Sequence, residues 1–194
     1  MSMEQMSLAD ALDASIVRGA REEETVTIKG KFDFQCFDSD GNLKWEDTID
    51  NVVCTVGKNV ALDAFLAGST YTVVGPFMGL ISSVGYGAGP VVGDTMTSHP
   101  GWTEGGGVNA PTYTAPRKTC AWSAASAGSK ALSAALAFSI TATGQINGAF
   151  VVYGTGALST IDNTAGTLFS AGAFAAYKSV SSGDTLNVSY SVGM

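Results

Sequence analysis

Two kinds of hydrophobic spacing divide the chain. Between Met3 and Ala20 the apolar residues Leu8, Leu12 and Ile16 recur every four positions, with Met6 and Ala9 beside them, which is the spacing of one narrow helical stripe. The solvated run Arg21-Glu22-Glu23-Glu24 follows it. This stretch reads either as an amphipathic arm without a core of its own to lie on or as a frayed terminus, since an isolated helix of this length is marginal in water. From Thr25 the period drops to two. Val26, Ile28, Gly30, Phe32, Phe34 and Cys36 alternate with Thr27, Lys29, Lys31, Asp33 and Gln35, the mark of a half-buried strand. Asp38-Ser39-Asp40-Gly41-Asn42 supplies turn chemistry, and Leu43 to Ile49 returns as a second strand with Leu43, Trp45 and Asp47 on one side, so a hairpin is predicted.

Val56 to Ala67 predicts a short helix whose apolar residues lie nearly all round, stopped by Gly68-Ser69; such a helix is expected to be covered on most sides. Phe77 to Ser83 predicts a buried strand. Between Val84 and Lys118 periodicity dissolves into Gly-rich and Pro-containing sequence, a loop long enough to suggest function or ordering by a partner. Strands are then expected at Cys120–Ser123, Lys130–Thr143, Ile146–Tyr153, Thr167–Phe174, Ala176–Val180 and Thr185–Val192, separated by Gly, Asn and Asp turns. Ala131 to Phe138 has helical propensity, but alternation through Phe138, Ile140 and Ala142 favours strand. Short strands at this spacing indicate an all-β sandwich or barrel, with residues 1–24 as an acidic, amphipathic N-terminal arm and 25–194 as the body.

Charge sharpens the division. Residues 1–50 hold 12 of the 17 acids and 5 of the 10 bases, so their net charge of −7 is that of the whole protein, and the remaining 144 residues are neutral. A sequence pI near 4.5 without a basic stripe argues against nucleic-acid binding. No apolar run is long enough for a membrane span and no basic-then-apolar leader is evident, so synthesis in the cytoplasm without membrane association is expected. At 194 residues the chain can bury a sizeable core without disulfides or metals. The three widely spaced cysteines, Cys36, Cys54 and Cys120, read as small core residues.

Catalytic patterns are missing. His99 is the sole histidine and has no carboxylate or thiol partner close in sequence. Gly85-Tyr86-Gly87-Ala88-Gly89 lacks dinucleotide-binding spacing, and Asp38-Ser39-Asp40-Gly41 lacks the later ligands of a calcium loop. No enzyme activity, cofactor or metal is therefore expected. The loop aromatics Trp102, Tyr113, Tyr86 and Tyr71 would suit an aromatic platform of a sugar site, and the low charge of residues 51–194 together with the expected sheet edges predicts self-association, a dimer before a trimer.

Several segments together resemble a family of tailed-bacteriophage virion proteins, the capsid cement or decoration proteins of podovirus-like heads. They are Gly30-Lys31-Phe32-Asp33-Phe34-Gln35-Cys36, Trp45 to Asn51 leading to the Gly57–Gly68 helix, Phe77-Met78-Gly79-Leu80-Ile81, Gly101-Trp102-Thr103-Glu104, Arg117-Lys118 before Trp122, and the ending Ser179 to Val188. The resemblance covers Val26 to Val192 and leaves the first 25 residues outside it. It implies a jelly-roll-like β-sandwich, here with one short buried helix and an N-terminal arm. It also implies a homo-oligomeric virion structural protein on the head surface, bound to the major capsid protein and stabilising the shell by bridging capsomers, with no active site. The alternative is a receptor- or carbohydrate-binding tail or fibre component. Candidate interaction residues are Leu8, Leu12 and Ile16 on the arm, which would order against a partner chain, and Trp102 and Tyr113 in the loops.

Overall fold

Alternation in the first strand becomes the inner wall of a sandwich. The computed structural model describes residues 27–66 and 74–194, so the arm, with Leu8, Leu12 and Ile16, and the loop residue Tyr71 lie outside the described residues. β1 (Lys29–Phe37) points Phe32, Phe34 and Cys36 into the core and Lys31, Asp33 and Gln35 away from it. At the turn the Asp38 carboxylate accepts the backbone N–H groups of Asp40 and Asn42 at 3.0 and 2.8 Å, and Gly41 takes a φ of +83°, a conformation open to glycine. The bonds from Asn42 hold the Asp38 carboxyl below the usual carboxylate range. β2 (Leu43–Asp50) returns antiparallel, with Trp45 and Ile49 inward.

Two antiparallel sheets result. The first is ordered β2-β1-β11, where β11 (Thr185–Gly193) also pairs with β7 (Ser129–Ala131) and β8 (Leu136–Ser139) along its other edge. The second is ordered β3-β10-β9-β4, from β3 (Val52–Val53), β10 (Thr167–Val180), β9 (Gly144–Tyr153) and β4 (Phe77–Ser82), and ends on β5 (Glu104–Gly105) and β6 (Lys118–Thr119). The first long strand thus lies beside the last. Between the sheets sit Phe32, Phe34, Phe138, Leu186, Val188 and Tyr190 against Met78, Leu80, Ile146, Val151 and Phe174.

The second sheet is buried on both faces. Seven consecutive residues of β9, Ile146 to Val152, are buried, and apart from Asn147 they are apolar or glycine, with no alternation. Its outer face, with Ile81, Phe150, Val152 and Leu168, is covered by Met96, Trp102 and Ala157 from the loops and by Cys54 at the start of α1 (Thr55–Leu66). The irregular 84–118 region is therefore a second packing layer, held by the chain's own contacts.

Other expectations change in detail. Cys120–Ser123 forms only the bridge of Trp122 with Leu132, and the expected strand over Lys130–Thr143 breaks into β7 and β8. The two strands expected between Thr167 and Val180 are one strand, bulged between Ala173 and Lys178. The helix expected to be covered on most sides is not: Leu62 and Leu66 remain 55% and 68% exposed, because α1 rests one side on β10 and no other described element lies over its far side.

Candidate interaction surface

Helical geometry splits the apolar residues of α1 into two sets. Leu62 and Leu66, one turn apart, form an outer ridge flanked by Lys58 and Asp63. Val60, Ala61 and Ala64 face the sandwich and form one wall of an apolar groove of about 420 Å³, whose floor is Val151, Phe169 and Val192, with Trp122 at the side. A second depression of about 280 Å³ shares Ala61, Phe169, Val192 and Lys130 with it and continues to Ile28 and Met194. Phe169, Trp122 and Val192 also pack on the central core, so the groove is the open end of the sandwich interior. At the helix start, Gly57 lies so close to β10 that a Cβ there would meet the Phe169 carbonyl oxygen at 2.7 Å, and Tyr153 Oη donates to the Gly57 carbonyl at 3.1 Å. Among the described residues Lys130 is the only charged side chain lining either part of the groove.

The loop aromatics proposed from sequence are inside. Trp102 is 2% exposed, stacked on His99 with ring centroids 3.9 Å apart, and donates Nε1–H to Asp94 at 2.9 Å. Tyr113 is 3% exposed and packs edge-on against Phe138. Neither ring is a surface platform: Trp102 fills space on the outer face of the second sheet, and Tyr113 reaches into the core between the two sheets. Tyr86 is half-buried beside Tyr177. His99 Nδ1 lies 2.9 Å from the Trp102 carbonyl oxygen and serves the loop's own structure.

The polar groups beside His99 are equally engaged. Glu104 and Arg117, both buried, form a two-pronged pair at 2.7 and 2.6 Å, and Glu104 also accepts the Asp162 backbone N–H. Arg117 donates further to the Leu158 and Asn163 carbonyls. Burial pushes the Glu104 carboxyl up, against the opposing pull of the guanidinium. This pair ties the 104–118 loop to the 157–163 loop. Two acids of the first sheet are likewise partnered: Asp33, on its outer face, receives Lys31 and Thr48, and Asp47, on the side of Trp45 and Ile49, receives Lys178 of β10. Among the described residues, no group of three or more His, Cys, Asp or Glu side chains could hold a metal ion. Cys36, Cys54 and Cys120 are buried and unpaired with one another, as their spacing predicts.

Leu62, Leu66 and the groove escaped the sequence reading. A signal for them existed in the helix segment Val60-Ala61-Leu62-Asp63-Ala64: apolar residues nearly all round can mean either full burial or two separate contact faces. Comparison with family models, curated proteins and solved structures found no match to the chain.

Proposed function

We propose that this chain is a non-catalytic virion structural protein that binds the outside of a tailed-phage head and stabilises the shell by bridging capsomers, with the major capsid protein as partner and a dimer of its own as the working unit. The single observation that carries the binding half of this reading is the exposed apolar ridge of Leu62 and Leu66 on a body with very few charges. The head assignment rests on the family resemblance of the segments from Gly30 to Val188, and the first-beside-last strand pairing supports the jelly-roll-like body that goes with it. The carbohydrate-binding alternative is weakened by the burial of Trp102 and Tyr113.

Shell stabilisation follows by linkage: each bound copy adds binding free energy that must be lost before a seam opens, and many modest contacts act together. Covering the exposed parts of Leu62 and Leu66 contributes about 2 kcal/mol, roughly thirtyfold in affinity per site. The test is co-sedimentation of the purified chain with expanded phage heads stripped of their decoration protein, followed by heating of the heads. Saturable binding that raises the temperature of shell opening is expected, with Leu62→Asp/Leu66→Asp binding at least tenfold more weakly. Absence of co-sedimentation, or binding without any effect on shell opening, overturns the proposal.

A further inference from the structure

The hydrogen bonds that hold the loop layer together leave several acceptors over, and they line one cavity. It has a volume of about 200 Å³, with Met96, Trp102 and Phe150 as its apolar part and His99, Asn109 and Asp162 in its polar wall. His99 Nδ1 lies 2.9 Å from the Trp102 carbonyl oxygen, which can only accept, so Nδ1 carries the hydrogen and Nε2 of the neutral ring remains an acceptor. Asn109 Nδ2 donates to the Glu104 carbonyl at 3.1 Å, which fixes the amide and leaves its Oδ1 over. Asp162 Oδ2 accepts the Val108 N–H at 3.2 Å, and its Oδ1 has no partner among the described residues. Acceptors outnumber the donors in the wall, which are Asn163 Nδ2, whose amide oxygen is taken by the Ala165 N–H, and the Thr164 hydroxyl.

Charge points the same way. Asp162 stands beside Glu104, which accepts its backbone N–H at 2.8 Å, yet among the described residues no Lys or Arg pairs with the Asp162 carboxylate and none lines the cavity. The Arg117 charge is matched by Glu104. An anion would therefore meet an uncompensated negative charge, and a cation would relieve it. The volume equals that of about seven waters at ~30 Å³ each, room for one side chain but not for an oligomer.

We propose that this cavity binds a primary ammonium on a short aliphatic stem, the chemistry of a lysine side chain, with Asp162, Asn109 and His99 accepting its three N–H donors and Met96, Trp102 and Phe150 contacting the stem. The cavity shares no residue with the α1 groove, and the inference does not rest on the head-decoration reading.

His99 is the sole histidine, so its ring resonance in NMR reports on this site alone. The full chain is titrated at constant pH and salt with Nα-acetyl-lysine methylamide, with 1,5-diaminopentane, and with Nα-acetyl-norleucine methylamide, which keeps the stem and lacks the ammonium. A saturable shift of the His99 resonance with Kd of about 1–10 mM is expected for at least one amine, and at least tenfold weaker binding of the norleucine compound. Tighter binding of the lysine compound assigns the site to a partner protein's side chain, and tighter binding of the diamine assigns it to a free amine; both uphold the ammonium pocket. Asp162→Asn, which keeps a residue suited to the φ of +61° found there, should weaken binding at least tenfold, whereas Asp40→Asn in the exposed β1–β2 turn should leave it unchanged. No saturable shift with either amine, equal binding of the norleucine compound, an equal loss in the two variants, or a shift by methyl glucoside in place of the amines would overturn the proposal.

Discussion

Replacing Arg117 by Met should be among the most damaging single changes on the irregular side of the molecule. The guanidinium is fully buried and makes four hydrogen bonds: to Glu104 Oε1 and Oε2 at 2.7 and 2.6 Å, to the Asn163 carbonyl at 2.7 Å and to the Leu158 carbonyl at 3.1 Å. Met fills much of the volume but leaves Glu104, 6% exposed, with only the Asp162 N–H against its charge. Losing one partner of a buried pair costs about 3–5 kcal/mol, which for a protein of this size lowers Tm by about 10 °C. The sign with pH follows from Glu104. Without the guanidinium its folded pKa rises further above the unfolded value, so the folded state tolerates the protonated carboxyl and the deficit grows as pH rises through that shifted pKa. The penalty should therefore be larger at pH ~7 than at ~4.5. Urea unfolding followed by circular dichroism at both pH values, on Arg117→Met, Glu104→Leu and the double variant, measures it. The double variant should recover at least half of the summed loss, since two apolar side chains leave no unpaired charge. A loss below about 1 kcal/mol for Arg117→Met, or strict additivity in the double variant, would refute the assignment of this pair as the clamp between the two loops.

Gly57→Ala should destabilise the protein by about 1–3 kcal/mol although Ala is the better helix former, because the new methyl meets the backbone of Phe169 and forces α1 away from β10; a raised Tm in calorimetry would show that the helix can shift freely. The thiols of Cys36, Cys54 and Cys120 are each pushed up to about 12, chiefly by burial, so iodoacetamide at pH ~8 should leave all three unmodified in native protein and alkylate all three in urea, as read by intact mass. Rapid native labelling of any one of them would contradict its place in the core.

The strands that the residue pattern determined are those whose partners matter least to the pattern. β1 alternates because one face of it meets a core and the other meets water, whatever the identity of the core, and the Asp38–Asn42 turn is local chemistry between neighbours in sequence. β11 is legible for the same reason, and β9 as an unbroken buried run bounded by turn residues. Tertiary structure alone decided which segments cover the outer face of the second sheet. Trp102 and Tyr113 sit among glycines and prolines without period, and nothing local distinguishes an aromatic ring that reaches down onto Phe150 or Phe138 from one held in solvent. Glu104 and Arg117, 13 residues apart in the same irregular stretch, look like two ordinary surface charges until the loop folds them together over Phe150. The helix shows the limit most plainly. Its apolar residues call for cover, but whether that cover is the protein's own sheet, as for Val60 and Ala61, or something beyond the described residues, as for Leu62 and Leu66, depends on where the sandwich ends, which no spacing within twelve residues encodes.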